Sequence, residues 1–303
     1  MIRLLPVLGS MLLLGGVWAV ADGVEPTGDE ANGEEIASAP ADAKTLIRVA
    51  SADSQLLIDR PADSPSARAL RQSAGLLRDG LKRLDAIPAY TATFRKREAV
   101  DGVLLDPQTM DLTLRHEPFG VHLAWVKGQR GRTLLYEAGR NDGDMLVNPG
   151  GWKGRLTGTV RLDPEGALAK REARQPVTML GLERLAAKML KHRLEELERP
   201  DEVVCTLADG FEHDGRPAWK NVLEYRSPQA GGEFRKSVVL IDREWSLPVK
   251  VETYGWPSDD VAPADLDART LLGRYEYAGI DLESLADEPA VEDLAAFTGF
   301  VVK

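Results

Sequence analysis

Apolar and polar residues alternate with a period of two through most of the chain downstream of Pro88. Such a segment has one apolar and one polar face, as in an antiparallel strand that buries a single side. Turn-forming dipeptides such as Asp101-Gly102 and Asp214-Gly215 separate the segments. The pattern recurs in about eleven segments, and it predicts an α+β protein built on one long, twisted antiparallel sheet.

Two segments replace this alternation with the three- and four-residue spacing of an amphipathic helix. The first runs from Ser66 to Leu84, and the second runs from Thr178 to Leu197 and stops at Pro200. Their apolar stripes need a surface to cover, and the concave face of the sheet is the natural one. The tail adds a third, short helix near Val291–Phe297. A split into two domains near Pro200 is disfavoured, because neither half has a complete core of its own.

The N-terminus has the layout of a secretory signal peptide. An apolar run from Leu4 to Leu14 follows Arg3, and small residues precede a cleavage position after Ala21. The run is too short to span a bilayer comfortably, so an uncleaved anchor is the weaker alternative. Residues 22–60 are predicted to be an acidic, largely disordered spacer, and residues 61–303 the folded domain.

Charge is distributed unevenly along the chain. The net charge is −10, yet Lys127 to Arg193 contains 14 Lys and Arg against 7 Asp and Glu. An acidic, exported chain is a poor partner for nucleic acid. The basic segment could contact anionic lipid headgroups or an acidic envelope protein, with Lys170, Arg171 and Arg174 as candidate contacts, or it could be a solvated basic face.

The sequence lacks the common motifs of a nucleophile elbow, a phosphate-binding loop and a zinc site. There is no GxSxG or GxxxxGK[ST] motif, and the four histidines lack the spacing of a zinc site. His116 and His122 flank a turn and are predicted at the surface. Residues Glu195, Glu196 and Glu198 are predicted as a solvated helix face rather than as a catalytic pair. We therefore expect no enzyme activity, no metal and no cofactor.

Three further features have structural explanations. The single cysteine, Cys205, excludes an internal disulfide and is expected to be a buried structural thiol. The glycine-rich stretch 150–154 lacks the residues of a nucleotide loop and is predicted as a connection with Trp152 exposed. Asp142 and Asp144 fit a tight hairpin turn, because the remaining positions of a calcium loop are missing.

A set of short motifs between Tyr90 and Leu190 is typical of one protein family. The motifs are Thr93-Phe94-Arg95-Lys96-Arg97-Glu98, Glu117-Pro118-Phe119-Gly120-Val121-His122-Leu123, Gly131-Arg132, Leu135-Tyr136, Asn141-Asp142-Gly143, Val160-Arg161-Leu162-Asp163-Pro164-Glu165-Gly166 and Pro176-Val177-Thr178. On these residues the chain resembles the bacterial envelope proteins grouped as domain of unknown function 1571. That family has no established activity, so no catalytic residue is carried over.

A second likeness lies in the C-terminal third. The residues that carry it are Leu240-Ile241-Asp242, Leu247-Pro248-Val249-Lys250-Val251-Glu252, Tyr254, Arg274-Tyr275-Glu276-Tyr277 and Ile280. They are similar to paired strands of LolA-like lipoprotein carriers. The likeness implies an unclosed β-barrel curled round helices, with an apolar hollow that holds acyl chains.

These observations lead to a functional hypothesis. We expect an exported protein of the periplasm or cell envelope that binds a lipid, or the acyl chain of a lipidated protein, in an apolar hollow. The predicted wall residues are the inward positions of three strands: Tyr90, Phe94, Met110, Leu112, Leu114, Leu123 and Trp125. A sensor or scaffold that docks an acidic partner is the alternative, and a hydrolase is a remote one. The sequence does not determine the oligomeric state.

Overall fold

The structure is a computed structural model that describes Ile58 and residues 64–258, 260–285 and 293–302, with the backbone alone at 153–155. The predicted signal peptide, and the spacer apart from Ile58, lie outside the described residues. No helix in the described part of the chain is long and apolar enough to cross a membrane.

Two long helices and several short ones accompany the sheet. The long helices are α1 (Pro65–Leu84) and α4 (Leu182–Glu198), and the short ones are α2 (Gly151–Thr157), α3 (Ala167–Lys170), α5 (Pro228–Gly231), α6 (Leu266–Arg269) and α7 (Leu294–Thr298). Ser64 caps α1 because its hydroxyl accepts a hydrogen bond from the Ala67 amide. Both long helices agree with the predicted ones, and α7 agrees with the predicted tail helix.

The strands are longest at the centre of the sheet and shorten toward one edge. They are β1 (Ala89–Val100), β2 (Val103–Leu104), β3 (Gln108–Arg115), β4 (Gly120–Lys127), β5 (Thr133–Glu137), β6 (Met145–Asn148), β7 (Val160–Leu162), β8 (Val203–His213), β9 (Arg216–Tyr225), β10 (Phe234–Asp242), β11 (Pro248–Gly255) and β12 (Leu271–Asp281). The strand that the alternation missed is β2, which has too few residues to show a period.

All twelve strands belong to one antiparallel sheet. Its order is β7-β6-β5-β4-β3-β1-β12-β11-β10-β9-β8, with β2 paired to β1. The first and last strands meet at the centre, where Phe94 of β1 lies opposite Tyr277 of β12. Strands β7 and β8 end the order at opposite edges, so the sheet is open. This confirms the predicted fold class of a single unclosed antiparallel sheet with helices.

The two long helices pack together on one face of the sheet. Apolar residues of α1 and α4 form a buried cluster with strands β10 and β11; its members include Ala74, Leu77, Leu81, Ala186, Leu190, Val239, Ile241 and Val251. This burial is the hydrophobic contact that the two apolar stripes required. At the start of α4, Leu182 and Leu185 also pack in the apolar cluster formed by β1 and β3–β6.

Two buried tyrosines hold the start of α4. Tyr90 Oη accepts a hydrogen bond from the Leu182 amide at 2.9 Å, and Tyr277 Oη accepts one from the Gly181 amide at 3.2 Å. These hydroxyls replace a side-chain cap, which Gly181 cannot supply. A Cβ at Gly181 would lie 2.6 Å from Leu114 Cδ1, so the glycine permits this close approach. The first turn of α4 is thereby fixed over β1 and β12.

The predicted start of this helix, Thr178, is wrong by four residues. Residues 177–179 form a separate 3-10 turn, and Gly181 has a φ of 115°, which is incompatible with a helix. The even spacing of Leu156, Val160 and Leu162 also predicts a strand, and that prediction is wrong over its first half. Helix α2 occupies that part, and Gly158, with a φ of 65°, separates it from the three residues of β7.

Helix α2 also corrects the interpretation of the glycine-rich stretch. Residues 151–154 open this helix rather than forming an irregular connection, although Trp152 is exposed, as predicted. The neighbouring prediction of a tight turn holds at residues 141–143, where Asn141 and Asp142 both have positive φ angles. Cys205 is buried, also as predicted, and its burial raises the pKa of the thiol.

The histidines of the β3–β4 turn are not at the surface. His122 is buried on β4 and contacts the ring of Phe300 edge to face. Its burial lowers the pKa of His122 to about 4, so the imidazole is neutral at pH 7. His116 is half-buried, with Nδ1 2.6 Å from the carbonyl oxygen of Ile87. The prediction failed for His122 because residues 293–302 fold back over β4, which local sequence does not reveal.

Candidate ligand-binding site

A cavity of about 820 Å³ lies between the sheet and α4. Strands on both sides of the central β1–β12 pair contribute to it. Residues 164–180, which include α3, contribute a further wall. Binding sites for small organic ligands have volumes of about 300–1,000 Å³. The cavity is therefore large enough to hold a ligand of that class.

Most of the side chains that β1 and β3–β7 contribute to the cavity lining are apolar, and we call them the apolar side. Its lining residues on these strands include Phe94, Met110, Leu123, Trp125, Leu134, Met145 and Leu162. Facing them are apolar side chains that precede or begin α4, among them Ala169, Val177, Leu180 and Leu185. The indole of Trp125 has a hydrogen-bond partner, because Nε1 donates to Gln108 Oε1 at 3.0 Å. This side offers an acyl chain or ring dispersion contacts on opposite walls.

The predicted wall residues divide into two groups. Phe94, Met110, Leu123 and Trp125 line the cavity. Tyr90, Leu112 and Leu114 belong to the same buried apolar cluster but do not line the cavity. These three lie toward the end of the sheet that the start of α4 covers. Their alternation is the same as that of the lining residues, so the sequence could not separate the two groups.

Several lining residues were absent from the predicted set. Leu134, Met145 and Leu162 are inward positions of β5, β6 and β7, and the same alternation rule would have included them. The wall at 164–180 had no such signal, because it has little regular structure. Its position depends on how the chain crosses from β7 to α4.

Much of the remaining lining is polar and comes from the C-terminal part of β1, the second half of α4 and neighbouring segments; we call it the polar side. Here Glu98 accepts hydrogen bonds from Lys96 Nζ at 2.7 Å and from the Tyr275 hydroxyl at 2.8 Å. Glu196 pairs with Arg193 at 2.6 Å and also accepts from the Tyr225 hydroxyl. Each of these buried carboxylates is therefore compensated by a neighbouring cation and a hydroxyl group.

Glu196 contradicts the prediction that it lies on a solvated helix face. It is 7% exposed, whereas its neighbours Glu195 and Glu198 are exposed as predicted. The helix register places Glu196 on the side that faces β9, and Arg193, one turn earlier, is 3% exposed. Burial of this pair was invisible in the sequence because the apolar stripe of α4 is interrupted at both positions.

The predicted basic contacts lie at the margin of the cavity. Lys170 and Arg171 are exposed at the end of α3, and within the described chain neither forms an ion pair. Arg174 is engaged, because its guanidinium pairs with Glu233 and donates to the Ala99 carbonyl at 3.1 Å. The three residues therefore share a location, but two are open to a ligand or partner and one is occupied.

Metal-binding chemistry has no obvious place in the described residues. They contain no group of three or more His, Cys, Asp and Glu side chains placed to hold a metal ion. His192, which lines the cavity, is 3.2 Å from Glu195 and forms no such group.

Comparison with known proteins gives one family match. The model of a family described as "Protein of unknown function (DUF1571)" matches residues 87–290. No curated protein matches the chain.

Similar solved structures are distant in sequence. A DUF1329 family protein from Desulfovibrio piger is 9% identical, with 75% of this chain and 98% of that chain covered and a TM-score of 0.32. The lipoprotein LppX from Mycobacterium tuberculosis is 12% identical, with 68% and 92% covered and a TM-score of 0.37. A LolA superfamily protein from Nitrosomonas europaea is 12% identical, with 68% and 93% covered and a TM-score of 0.28.

Proposed function

The chain belongs to the DUF1571 family, and we propose that it binds the acyl chain of a lipid or lipidated protein in the cavity between the sheet and α4. It would act as a carrier or chaperone of the cell envelope. The observation that carries this proposal is the apolar side of the cavity, where strand residues such as Leu123 and Leu134 face Leu180 and Leu185. A cavity with apolar walls selects apolar ligands, because the transfer of apolar surface out of water is favourable.

The expected affinity suits reversible carriage. Each methylene group transferred from water to an apolar site contributes about 0.8 kcal/mol. Eight buried methylenes would contribute roughly 6 kcal/mol before the cost of ordering the ligand. A single acyl chain binds reversibly to a membrane for the same reason, because its apolar surface contributes a limited free energy. A protein of this kind could therefore take up a chain and release it again.

Docking of a partner protein is the second candidate. Lys170 and Arg171 favour it, because both are exposed cations with no ion pair in the described chain. Arg174 does not add to that surface while it pairs with Glu233. Acyl binding accounts for the cavity as well as for the cations at its margin, and we therefore prefer it.

Export is part of the proposal and is tested at the N-terminus. We expect protein recovered from the cell envelope to begin at Asp22, because a signal peptidase would cut after the small residue Ala21. Amino-terminal sequencing or intact mass spectrometry measures this directly. Recovery of envelope protein that retains Met1 would contradict the predicted cleavage.

Acyl binding is tested by filling the cavity from α3. Ala169 lines the cavity, whereas Ala167 lies two residues earlier, is exposed and does not line it. We expect Ala169→Trp to weaken binding of dodecanoate at least tenfold, since displacement of about two methylenes is sufficient for that loss. Displacement of the uncharged probe N-phenyl-1-naphthylamine measures the affinity.

Ala167→Trp is the matched control, since it adds the same indole to the same helix outside the cavity. We expect it to bind dodecanoate as the unmodified chain does, and thermal unfolding should show that both variants remain folded. Native mass spectrometry of envelope-purified protein should also detect bound lipid. If the unmodified chain carries no lipid and takes up none, acyl binding is wrong.

A further inference from the structure

Charged side chains on the polar side of the cavity are mostly paired with one another. The pairs are Lys96 with Glu98, Arg132 with Glu172, Arg174 with Glu233, and Arg193 with Glu196. His192 Nδ1 also lies 3.2 Å from Glu195 Oε2. These pairs leave few charges available to a ligand. An unpaired charge on this side is therefore a candidate contact for a charged group of the ligand.

Lys188 is such a charge. It lies on α4 and lines the cavity, and its ammonium donates to Gln175 Oε1 at 3.2 Å. Within the described residues no carboxylate lies within ion-pair distance of it. Burial lowers the pKa of Lys188, the positive charge of Arg174 acts in the same direction, and Glu233 opposes both. The protein therefore holds a partly desolvated cation without a matching anion, which is costly unless a ligand supplies one.

The position of Lys188 relates it to the apolar side. Leu185 precedes it by three residues on α4, so both side chains lie on the same face of the helix. Leu185 packs against the core cluster that forms the apolar wall. Lys188 thus lies where the apolar wall gives way to the polar side, next to the place at which one end of a bound chain would emerge.

We propose that the ligand of this cavity is an anionic amphiphile whose carboxylate or phosphate head group pairs with the Lys188 ammonium while its chain lies against the apolar wall. This inference rests on the proposed acyl binding and adds the chemical class of the head group. A charge-assisted hydrogen bond to the head group would distinguish acids from their uncharged esters. It would also supply the anion that Lys188 lacks among the described residues.

The test compares three ligands with the same chain length. Dodecanoate, dodecyl phosphate and methyl dodecanoate each compete with N-phenyl-1-naphthylamine for the full chain at pH 7. We expect at least one of the two anions to bind at least tenfold more tightly than the methyl ester. The anion that binds more tightly identifies the head group as carboxylate or phosphate, and either result supports the inference.

Two variants assign the preference to one residue. Lys188→Met keeps the apolar stem and removes the charge, so we expect it to bind the anions no more tightly than the ester. Lys191→Met is the control, because Lys191 lies on the same helix, is exposed and does not line the cavity. It should retain the preference for the anions.

The outcomes separate this inference from the proposed function. Equal binding of anions and ester by the unmodified chain would refute the anionic head group and leave acyl binding intact. A preference for anions that survives Lys188→Met would refute the role of Lys188. If none of the three ligands displaces the probe, acyl binding itself fails.

Discussion

Replacement of Gly80 by alanine is expected to lower the free energy of unfolding by about 3 kcal/mol. Gly80 lies on the buried face of α1, where a Cβ would be 2.3 Å from the carbonyl oxygen of Ser246. That oxygen belongs to the backbone of the β10–β11 turn and cannot rotate away as a side chain could. Helix α1 would have to move off the sheet, which would loosen the cluster it shares with α4.

The turn that Gly80 faces is itself fixed. Asp242 accepts hydrogen bonds from the amides of Glu244 at 2.9 Å and Trp245 at 2.7 Å, and Arg216 Nε donates to it at 2.6 Å. Asp242 is 2% exposed, so the turn is anchored from inside. A shift of the turn to admit a methyl group would disturb these bonds, and we expect the helix to yield first.

Gly75 provides the control within the same helix. Among the described residues, no atom lies within 4 Å of a Cβ at this position. Alanine favours a helix over glycine by up to about 1 kcal/mol, so Gly75→Ala is expected to stabilise the protein slightly. Urea unfolding followed by circular dichroism measures both variants. Similar effects of the two substitutions would show that close approach at Gly80 is not the cause.

Replacement of Arg193 by methionine is expected to lower the free energy of unfolding by about 4 kcal/mol. The guanidinium of Arg193 donates to Glu196 Oε2 at 2.6 Å and to Asn221 Oδ1 at 3.1 Å. Asn221 is fully buried and connects β9 to Ser73 of α1 through a 3.0 Å hydrogen bond. Methionine would leave the Glu196 carboxylate buried without its cation.

A second substitution should reverse most of this loss. In Arg193→Met with Glu196→Gln no charge remains to be compensated, and the glutamine amide oxygen can still accept from the Tyr225 hydroxyl. Arg199 and Glu202 offer a comparison at the same spacing on the surface, where their side chains are 58% and 44% exposed. We expect Arg199→Met to cost less than about 1 kcal/mol. If urea unfolding shows the double variant as unstable as Arg193→Met, the unpaired carboxylate is not the cause.

Helix α2 shows a limit of predicting secondary structure from local apolar spacing. Leu156, Val160 and Leu162 have the even spacing of a strand, yet Leu156 is exposed on a helix and only the last two belong to β7. Short apolar runs are ambiguous between helix and strand when no longer period supports either. The same rule succeeded for β1, β3 and β4, where longer runs face a buried core.

A second limit of the same spacing is that it does not predict which inward residues line the cavity. Phe94 and Leu112 both occupy inward positions on neighbouring strands and share one buried cluster, but only Phe94 of the two lines the cavity. The difference depends on where α4 and residues 164–180 cover the sheet. Apolar periodicity reports which side of a strand is buried, and it does not report what lies opposite.

The amino-acid sequence by itself determined the single antiparallel sheet, the two amphipathic helices and the apolar character of one sheet face, because each depends on a repeating pattern along the chain. Only the tertiary structure decided that this face lines a cavity, that Glu196 and His122 are buried, and that Lys188 lines the cavity without an anionic partner among the described residues. These features depend on contacts between segments far apart in the chain, and such contacts leave no periodic signal in either segment.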